Sequence, residues 1–144
     1  MAKNAQFYIF TDASKITIEQ KACDLAASAW RAGKKVLIVC ETEKQALEID
    51  EALWQRDPSE FVPHNLSGET TQYATPIEIS WKGKRNSQRR DVLINLQQEI
   101  PDFSHSFTQL IDFVPKDDAL KTQARERYKQ LRTLGWALST ENIA

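Results

Sequence analysis

Short, mainly apolar runs alternate with segments of helical periodicity in the first half of the chain. The apolar runs are AQFYIF at residues 5–10 and KVLIVC at residues 35–40, and such runs are typical of strands buried in a sheet. Each run is followed by a segment whose apolar residues recur at helical spacing, and in the second segment Ala46, Ile49 and Leu53 share one face. Strands that alternate with helices in this way predict an α/β fold with parallel strand pairing.

Polar residues and one glycine mark the ends of the two predicted helices. Thr17 and Gln20 have the spacing of a capping box at the start of the first helix, and Thr42 and Gln45 repeat that spacing at the second. Gly33 follows the last apolar residue of the first helix and is expected to end it.

The second half of the chain predicts further strands and one long helix. Residues 57–76 contain three of the five prolines and predict mostly loop. Apolar runs then predict strands at 77–80, 91–96 and 107–114, with a last short strand at 136–139. A helix is expected from Pro115 to about Leu134, with Gly135 ending it. Together these elements predict one α/β domain over residues 1–144, with three layers and a largely parallel central sheet flanked by helices.

Length and composition are those of a compact soluble domain. The chain has 144 residues, of which 41% are hydrophobic, and this is enough to bury a substantial core. No apolar run approaches the roughly 18 residues of a membrane span, and the first residues lack the apolar stretch of a secretory signal. We therefore expect a cytoplasmic protein that does not enter the membrane. The formal net charge of −1 disfavours nonspecific coating of nucleic acid.

The sequence lacks the motifs of the common nucleotide-binding and catalytic sites. A nucleotide site of this fold class needs glycines between a strand and the following helix, but the first such turn, TDASKIT, has none, and GxGxxG does not occur. GxSxG, HExxH and metal-spaced clusters of cysteine and histidine are also missing. Cys23 and Cys40 lie in apolar surroundings and are expected to be buried free thiols. The fold is predicted to be Rossmann-like without a nucleotide-binding loop, and no catalytic residue, cofactor or metal is expected.

The segment KTQARERYKQLR, residues 121–132, concentrates five cations against one acid. On a helix, four of these cations fall within a stripe roughly 80° wide, with Tyr128 at its border. They are Lys121, Arg125, Lys129 and Arg132. A stripe of this kind suits phosphates or an acidic peptide that ends in a hydrophobic residue, and it also occurs as a solvated outer face. Asp117 and Asp118, at the start of the helix, are expected to offset its dipole and to pair with Lys121.

A second candidate surface contains two aromatic residues in an acidic part of the chain. Trp54 lies seven residues after Leu47, and both are rotated by roughly 90° from the predicted core face of their helix. Phe61 follows in a loop bounded by prolines, and residues 41–60 hold seven acids against two basic residues. Trp54 and Phe61 could form the centre of a protein interface, or they could fold inward and complete the core.

Several blocks of sequence, in order and over nearly the full chain, resemble the chi-subunit family of bacterial DNA polymerase III holoenzyme. These blocks are WRAGKKVLI, EKQALEIDEALW, SEFVPHNL, KRNSQRRDVLINL and DFVPKDDALKTQARERYK. The resemblance implies a single-domain α/β accessory subunit without catalytic activity. Such a subunit pairs with the psi subunit, which tethers it to the clamp-loader complex, and it binds the acidic, Phe-terminated C-terminal tail of the single-stranded DNA-binding protein.

The resemblance also implies which residues serve each partner. The positions that match the tail-binding segment of the family are Val114, Lys121, Arg125, Tyr128 and Lys129. Trp54 and Phe61 match aromatics of the psi-facing region. The sequence departs from the family at Lys116, and the loop TTQYATP at residues 70–76 matches poorly, so no contact is transferred there.

Direct binding of nucleic acid is the alternative function. The loop KGKRNSQRR, residues 82–90, and the cationic stripe could hold phosphates, alone or within an enzyme that processes DNA. The net charge and the small number of aromatics among these cations speak against tight binding. The loop could equally be a solvated connection, since its spacing specifies no ligand.

Overall fold

The structure is a computed structural model that describes residues 3–56, 58–68, 75–83 and 90–143. Within these residues the chain forms a seven-stranded parallel sheet. The strands are β1 (Asn4–Phe10), β2 (Val36–Cys40), β3 (His64–Leu66), β4 (Ile77–Trp81), β5 (Val92–Leu96), β6 (Gln109–Val114) and β7 (Ala137–Ile143). The helices are α1 (Ile18–Arg31), α2 (Glu43–Trp54) and α3 (Asp118–Thr133), and short 3₁₀ turns cover Pro58–Glu60 and Asp102–Ser106. The strand order is β3-β4-β2-β5-β6-β1-β7, and every neighbouring pair is parallel.

Two apolar cores lie on opposite faces of the sheet and make the fold three-layered. Alternate residues of β2 show this, because Val36 and Ile38 pack with α1 and α2, whereas Leu37 and Val39 belong to the core that contains Leu131 of α3. All five residues of β2 are buried, as a strand with helices on both faces requires. The predicted α/β class, with helices flanking a parallel sheet, is confirmed.

The ends of α1 are as the sequence predicts. The Thr17 side chain accepts a hydrogen bond from the backbone N–H of Gln20, and the Gln20 side chain accepts one from the N–H of Thr17, which completes the capping box. Gly33 follows the helix with φ of +83°, a conformation that glycine adopts without steric cost.

The second capping box forms only in part. Thr42 accepts from the N–H of Gln45, as predicted, but the Gln45 side chain accepts from the N–H of Glu41 instead of that of Thr42. The Gln45 amide also donates to Glu19 of α1, so its side chain is drawn towards the neighbouring helix. The predicted core face of α2, made by Ala46, Ile49 and Leu53, is fully buried.

Three predictions for the second half were wrong in detail. The predicted loop at 57–76 contains β3, which has three residues and forms by pairing with β4, a contact too distant in sequence to leave a local pattern. The last strand, β7, runs for seven residues because β1 pairs with its whole length. Helix α3 begins at Asp118, since Asp117 caps it by accepting from the N–H of Leu120.

Candidate peptide-binding groove and aromatic surface

A groove of about 380 Å³ lies between α3, the end of β6 and strands β1 and β7. Its apolar lining includes Phe7 and Ile9 from β1, Val114 from β6 and Tyr128 from α3. Cationic side chains of Lys116, Lys121 and Arg125 line the same space. The groove therefore joins an apolar floor to a positively charged rim, a combination that suits an anion with a hydrophobic part.

Four of the five residues matched to the tail-binding segment line this groove. They are Val114, Lys121, Arg125 and Tyr128. Lys129 lies elsewhere: its exposed ammonium is 3.6 Å from a carboxylate oxygen of Glu126, and it lines a separate, shallow depression with Leu134. The structure thus brings four of these side chains together and places Lys129 outside the group.

Tyr128 is held in place by the sheet beneath it. Its ring meets that of Phe7 edge to face, with 5.3 Å between ring centroids and an angle of 67° between the planes. Sequence reasoning did not identify Phe7 or Ile9, because which face of β1 meets α3 depends on how the strands are ordered in the sheet. The available signal was that Phe7 and Ile9, two residues apart in the run AQFYIF, share one face of the strand.

The cations of the groove are available to a ligand to different degrees. Within the described residues, neither Lys121 nor Arg125 has an ion-pair partner, and the predicted pair between Asp117 and Lys121 does not form because Asp117 caps the helix instead. Lys116 has a carboxylate nearby, since its ammonium lies 3.9 Å from an oxygen of Asp12. Lys121 is half-buried and Arg125 is exposed, so both side chains are accessible to a ligand at the entrance of the groove.

Arg127, the fifth cation of the segment 121–132, is internal. Its Nε donates to Asp112 Oδ2 at 2.8 Å, its Nη2 to Asp112 Oδ1 at 3.1 Å, and its Nη1 to the carbonyl of Gln98 at 2.8 Å. The N–H of Phe113 also donates to the Asp112 carboxylate. Burial raises the pKa of Asp112, and the guanidinium acts against that shift. The sequence signal was present, because Arg127 shares a helix face with Ala124 and Leu131.

This buried ion pair lies at the ends of the central strands. A cavity of about 200 Å³ opens at the carboxyl ends of β2, β5 and β6, and both Arg127 and Asp112 line it. Open α/β sheets commonly bind ligands at such an edge. Here the two polar side chains satisfy each other and fix α3 against β6.

The aromatic surface is exposed. Trp54 ends α2 with 59% of its surface accessible, Phe61 is 38% accessible, and their ring centroids are 5.3 Å apart. Leu47 extends the apolar area along α2 with 49% accessibility. The structure therefore excludes the alternative in which Trp54 and Phe61 fold inward.

His64 supports this pair from below, a role that sequence reasoning missed. Its buried ring lies 5.2 Å from that of Trp54 and 6.1 Å from that of Phe61, centroid to centroid. Because the Val62 carbonyl can only accept, Nδ1 of His64 donates to it at 2.8 Å, while Nε2 faces Asp50 Oδ1 at 3.2 Å. The two exposed aromatics thus sit on a fixed base.

Only part of the basic loop 82–90 is described, because residues 84–89 lie outside the described ranges. Lys82 is 3.7 Å from a carboxylate oxygen of Glu41. Arg90 is buried and pairs with Glu78 at 3.1 Å. The alternative in which the whole loop is a solvated connection is therefore wrong for Arg90. Each described cation of the loop therefore has a carboxylate neighbour, and of the two only Arg90 is buried.

The two cysteines behave as predicted. Both are buried and free, and burial raises the pKa of Cys23 to about 12 and that of Cys40 further. Among the described residues, no group of His, Cys, Asp and Glu side chains could hold a metal ion. Among the helices in the described ranges, none combines the length and the apolar character needed to cross a membrane.

Comparison with known proteins identifies the family. The profile of the family described as "DNA polymerase III chi subunit, HolC" matches residues 2–139. A DNA polymerase III subunit chi of Haemophilus influenzae is 80% identical over 99% of both chains. The subunit chi of Escherichia coli is 50% identical, over 96% of this chain and 97% of that one, and that of Pseudomonas aeruginosa is 32% identical over 95% and 94%.

A solved structure of more distant sequence shares the fold. The crystal structure of T4 UvsW aligns with a TM-score of 0.64 at 9% identity, over 99% of this chain and 41% of that one. At this identity the likeness concerns the fold alone. The family match over residues 2–139, supported by relatives along the whole chain, shows that this chain belongs to the chi subunits of DNA polymerase III, accessory subunits in DNA replication.

Proposed function

We propose that the protein is a non-catalytic adaptor of the replicative polymerase, acting in the cytoplasm as one domain over residues 1–144. It binds the psi subunit, which connects it to the clamp loader, and it binds the acidic C-terminal tail of the single-stranded DNA-binding protein. The observation that carries the proposal is the open groove in which Lys121 and Arg125 stand beside the apolar side chains of Val114 and Tyr128. The holoenzyme is thereby linked to DNA already coated by the binding protein.

The groove offers a separate contact to each part of such a tail. A terminal hydrophobic side chain fits over Phe7 between Val114 and Tyr128. Arg125 can hold the terminal carboxylate with two parallel hydrogen bonds, which a lysine cannot do. Lys121, at the same rim, attracts the acidic residues that precede the terminus. A flexible tail loses conformational entropy on binding, so an affinity of about 1 μM is expected.

Trp54 and Phe61 supply the surface for psi in this proposal. Large aromatics at the centre of an interface contribute most of its binding energy, and these two are exposed yet fixed by His64. The exposed carboxylates Glu51 and Glu60 lie in the same part of the chain and favour a partner with basic residues around its apolar contact.

Titration of a fluorescent tail peptide against the wild type and Arg125→Ala tests the groove. The variant is expected to lose about 1.5 to 3 kcal/mol of binding free energy, because a charge-assisted pair of hydrogen bonds is removed. Arg31→Ala, which removes an exposed arginine from the last turn of α1, is the matched control and should bind as the wild type does. Equal affinities of the Arg125 variant and the wild type would defeat the assignment.

Direct nucleic-acid binding remains the second candidate, favoured by the exposed Arg125, Lys129 and Arg132 on one helix. Lys121, Arg125 and Lys129 follow one another at about 6 Å along the axis, a spacing that phosphates could match. Fluorescence anisotropy with a labelled single strand separates the two candidates. Tight, length-dependent binding by the isolated protein would favour DNA over the peptide.

A further inference from the structure

One carboxylate interrupts the cationic rim of the groove. Asp12, in the turn after β1, lines the groove together with Lys116, Lys121 and Arg125. It is the only acidic residue among the described residues that line the groove. Its side chain is 99% accessible, and its Oδ1 lies 3.9 Å from the Lys116 ammonium. A negative charge at the entrance of a site for anions weakens the attraction of an anionic ligand, so Asp12 does not contribute to affinity.

We propose that Asp12 is a specificity determinant, which lets the groove accept an acidic peptide and disfavours single-stranded nucleic acid. This inference rests on the proposed function of the groove. A nucleic-acid strand carries a charge at every nucleotide, and Asp12 lines the same groove as Lys121 and Arg125, so a strand held there by these cations is expected to bring a phosphate near Asp12. A peptide can place an uncharged backbone unit there and still present its carboxylates to the cations.

The contact between Asp12 and Lys116 has a second effect, because it competes with an acidic ligand for the Lys116 ammonium. The ammonium of Lys116 has Asp12 as its neighbour, and an acidic ligand must compete with that carboxylate. Discrimination by a repulsive group costs some affinity for the correct ligand and more for the wrong one. Because the pair is exposed, its effect on the affinity for the peptide should be small. For a nucleic-acid strand, the repulsion between Asp12 and each of several phosphates adds up.

The experiment compares Asp12→Asn and Asp12→Lys with the wild type against two probes at low salt. The probes are a fluorescent acidic peptide ending in Phe and a labelled oligothymidylate. Asp12→Asn should tighten DNA binding about two- to fivefold and peptide binding by less than about twofold, and Asp12→Lys should widen that difference. Glu48→Gln makes the same charge change at an exposed position of α2, away from the groove, and should leave both affinities unchanged.

The outcomes separate this inference from the proposed function. If both Asp12 variants gain equally for the two probes, or if DNA binding stays at the wild-type level in both, Asp12 does not determine specificity, even though peptide binding by the wild type still supports the groove. If the wild type does not bind the peptide at all, the proposed function of the groove fails with it. If Asp12→Asn and Glu48→Gln tighten DNA binding equally, the effect comes from the net charge alone and the inference is overturned.

Discussion

Arg127 of α3 and Asp112 of β6 form a bidentate ion pair, with N–O distances of 2.8 and 3.1 Å, on a helix whose neighbouring cations face solvent. The pair anchors the helix that carries Lys121, Arg125 and Tyr128, and it therefore sets the position of one wall of the groove. Arg127 contributes to structure, while the cations beside it remain available for a ligand.

Asp112→Asn should destabilise the protein strongly. The substitution preserves the shape of the side chain but leaves the Arg127 guanidinium buried without a counter-charge, a change that costs about 3 to 5 kcal/mol of unfolding free energy. Urea denaturation followed by circular dichroism measures the loss. Asp102→Asn, at an exposed acid in the short turn before β6, is the control and should change stability by less than about 0.5 kcal/mol. Superimposable unfolding curves for the wild type and the Asp112 variant would contradict the structural role.

Replacing both Trp54 and Phe61 by alanine should abolish association with psi and spare binding of the tail peptide. The two rings contact each other on one surface, whereas neither lines the groove. Size-exclusion chromatography with psi and anisotropy with the peptide give the two measurements. A stable complex between psi and the double variant would count against this surface, and Ile16→Ala, at another exposed apolar residue, serves as the control.

Local patterns predicted the parts of the fold that depend on neighbouring residues in sequence. The buried strand β2, the box of Thr17 and Gln20 and the core face of α2 each leave a periodic or short-range signal. Strand β3 and the partner of Arg127 depend on contacts between distant segments, and no local pattern records them. The helical position of Trp54 made its exposure one of two alternatives, and the structure was needed to decide between them. Its contact with Phe61 required the loop to turn back onto α2.

The Cys23 thiol should be unreactive in the folded protein and should make stability fall at alkaline pH. Burial raises its pKa from 9.0 to about 12, so between these values the unfolded chain releases a proton that the folded chain retains. The unfolded state then binds fewer protons, and stability falls by about 1.4 kcal/mol per pH unit for this group as the pH rises through the window.

Two measurements check this expectation. Ellman's reagent at pH 8 should label the native protein slowly and both cysteines quickly in guanidinium chloride. Cys23→Ala should lose less stability than the wild type between pH 9 and pH 11, whatever its stability at neutral pH. Rapid labelling of the native protein, or parallel pH profiles, would show that the thiol is not protected.

Lys121 and Lys129 should contribute unequally to binding of the acidic tail, although both lie in the same stripe. Lys121 lines the groove without an ion-pair partner among the described residues, whereas Lys129 lies outside it and has Glu126 at 3.6 Å. Lys121→Gln should weaken peptide binding about two- to fivefold and reduce its salt dependence, while Lys129→Gln should stay within about twofold of the wild type. Peptide titrations at two salt concentrations measure both quantities. Equal losses for the two variants would mean that the tail follows the outer face of α3, and the groove would no longer explain why cations are concentrated on this helix.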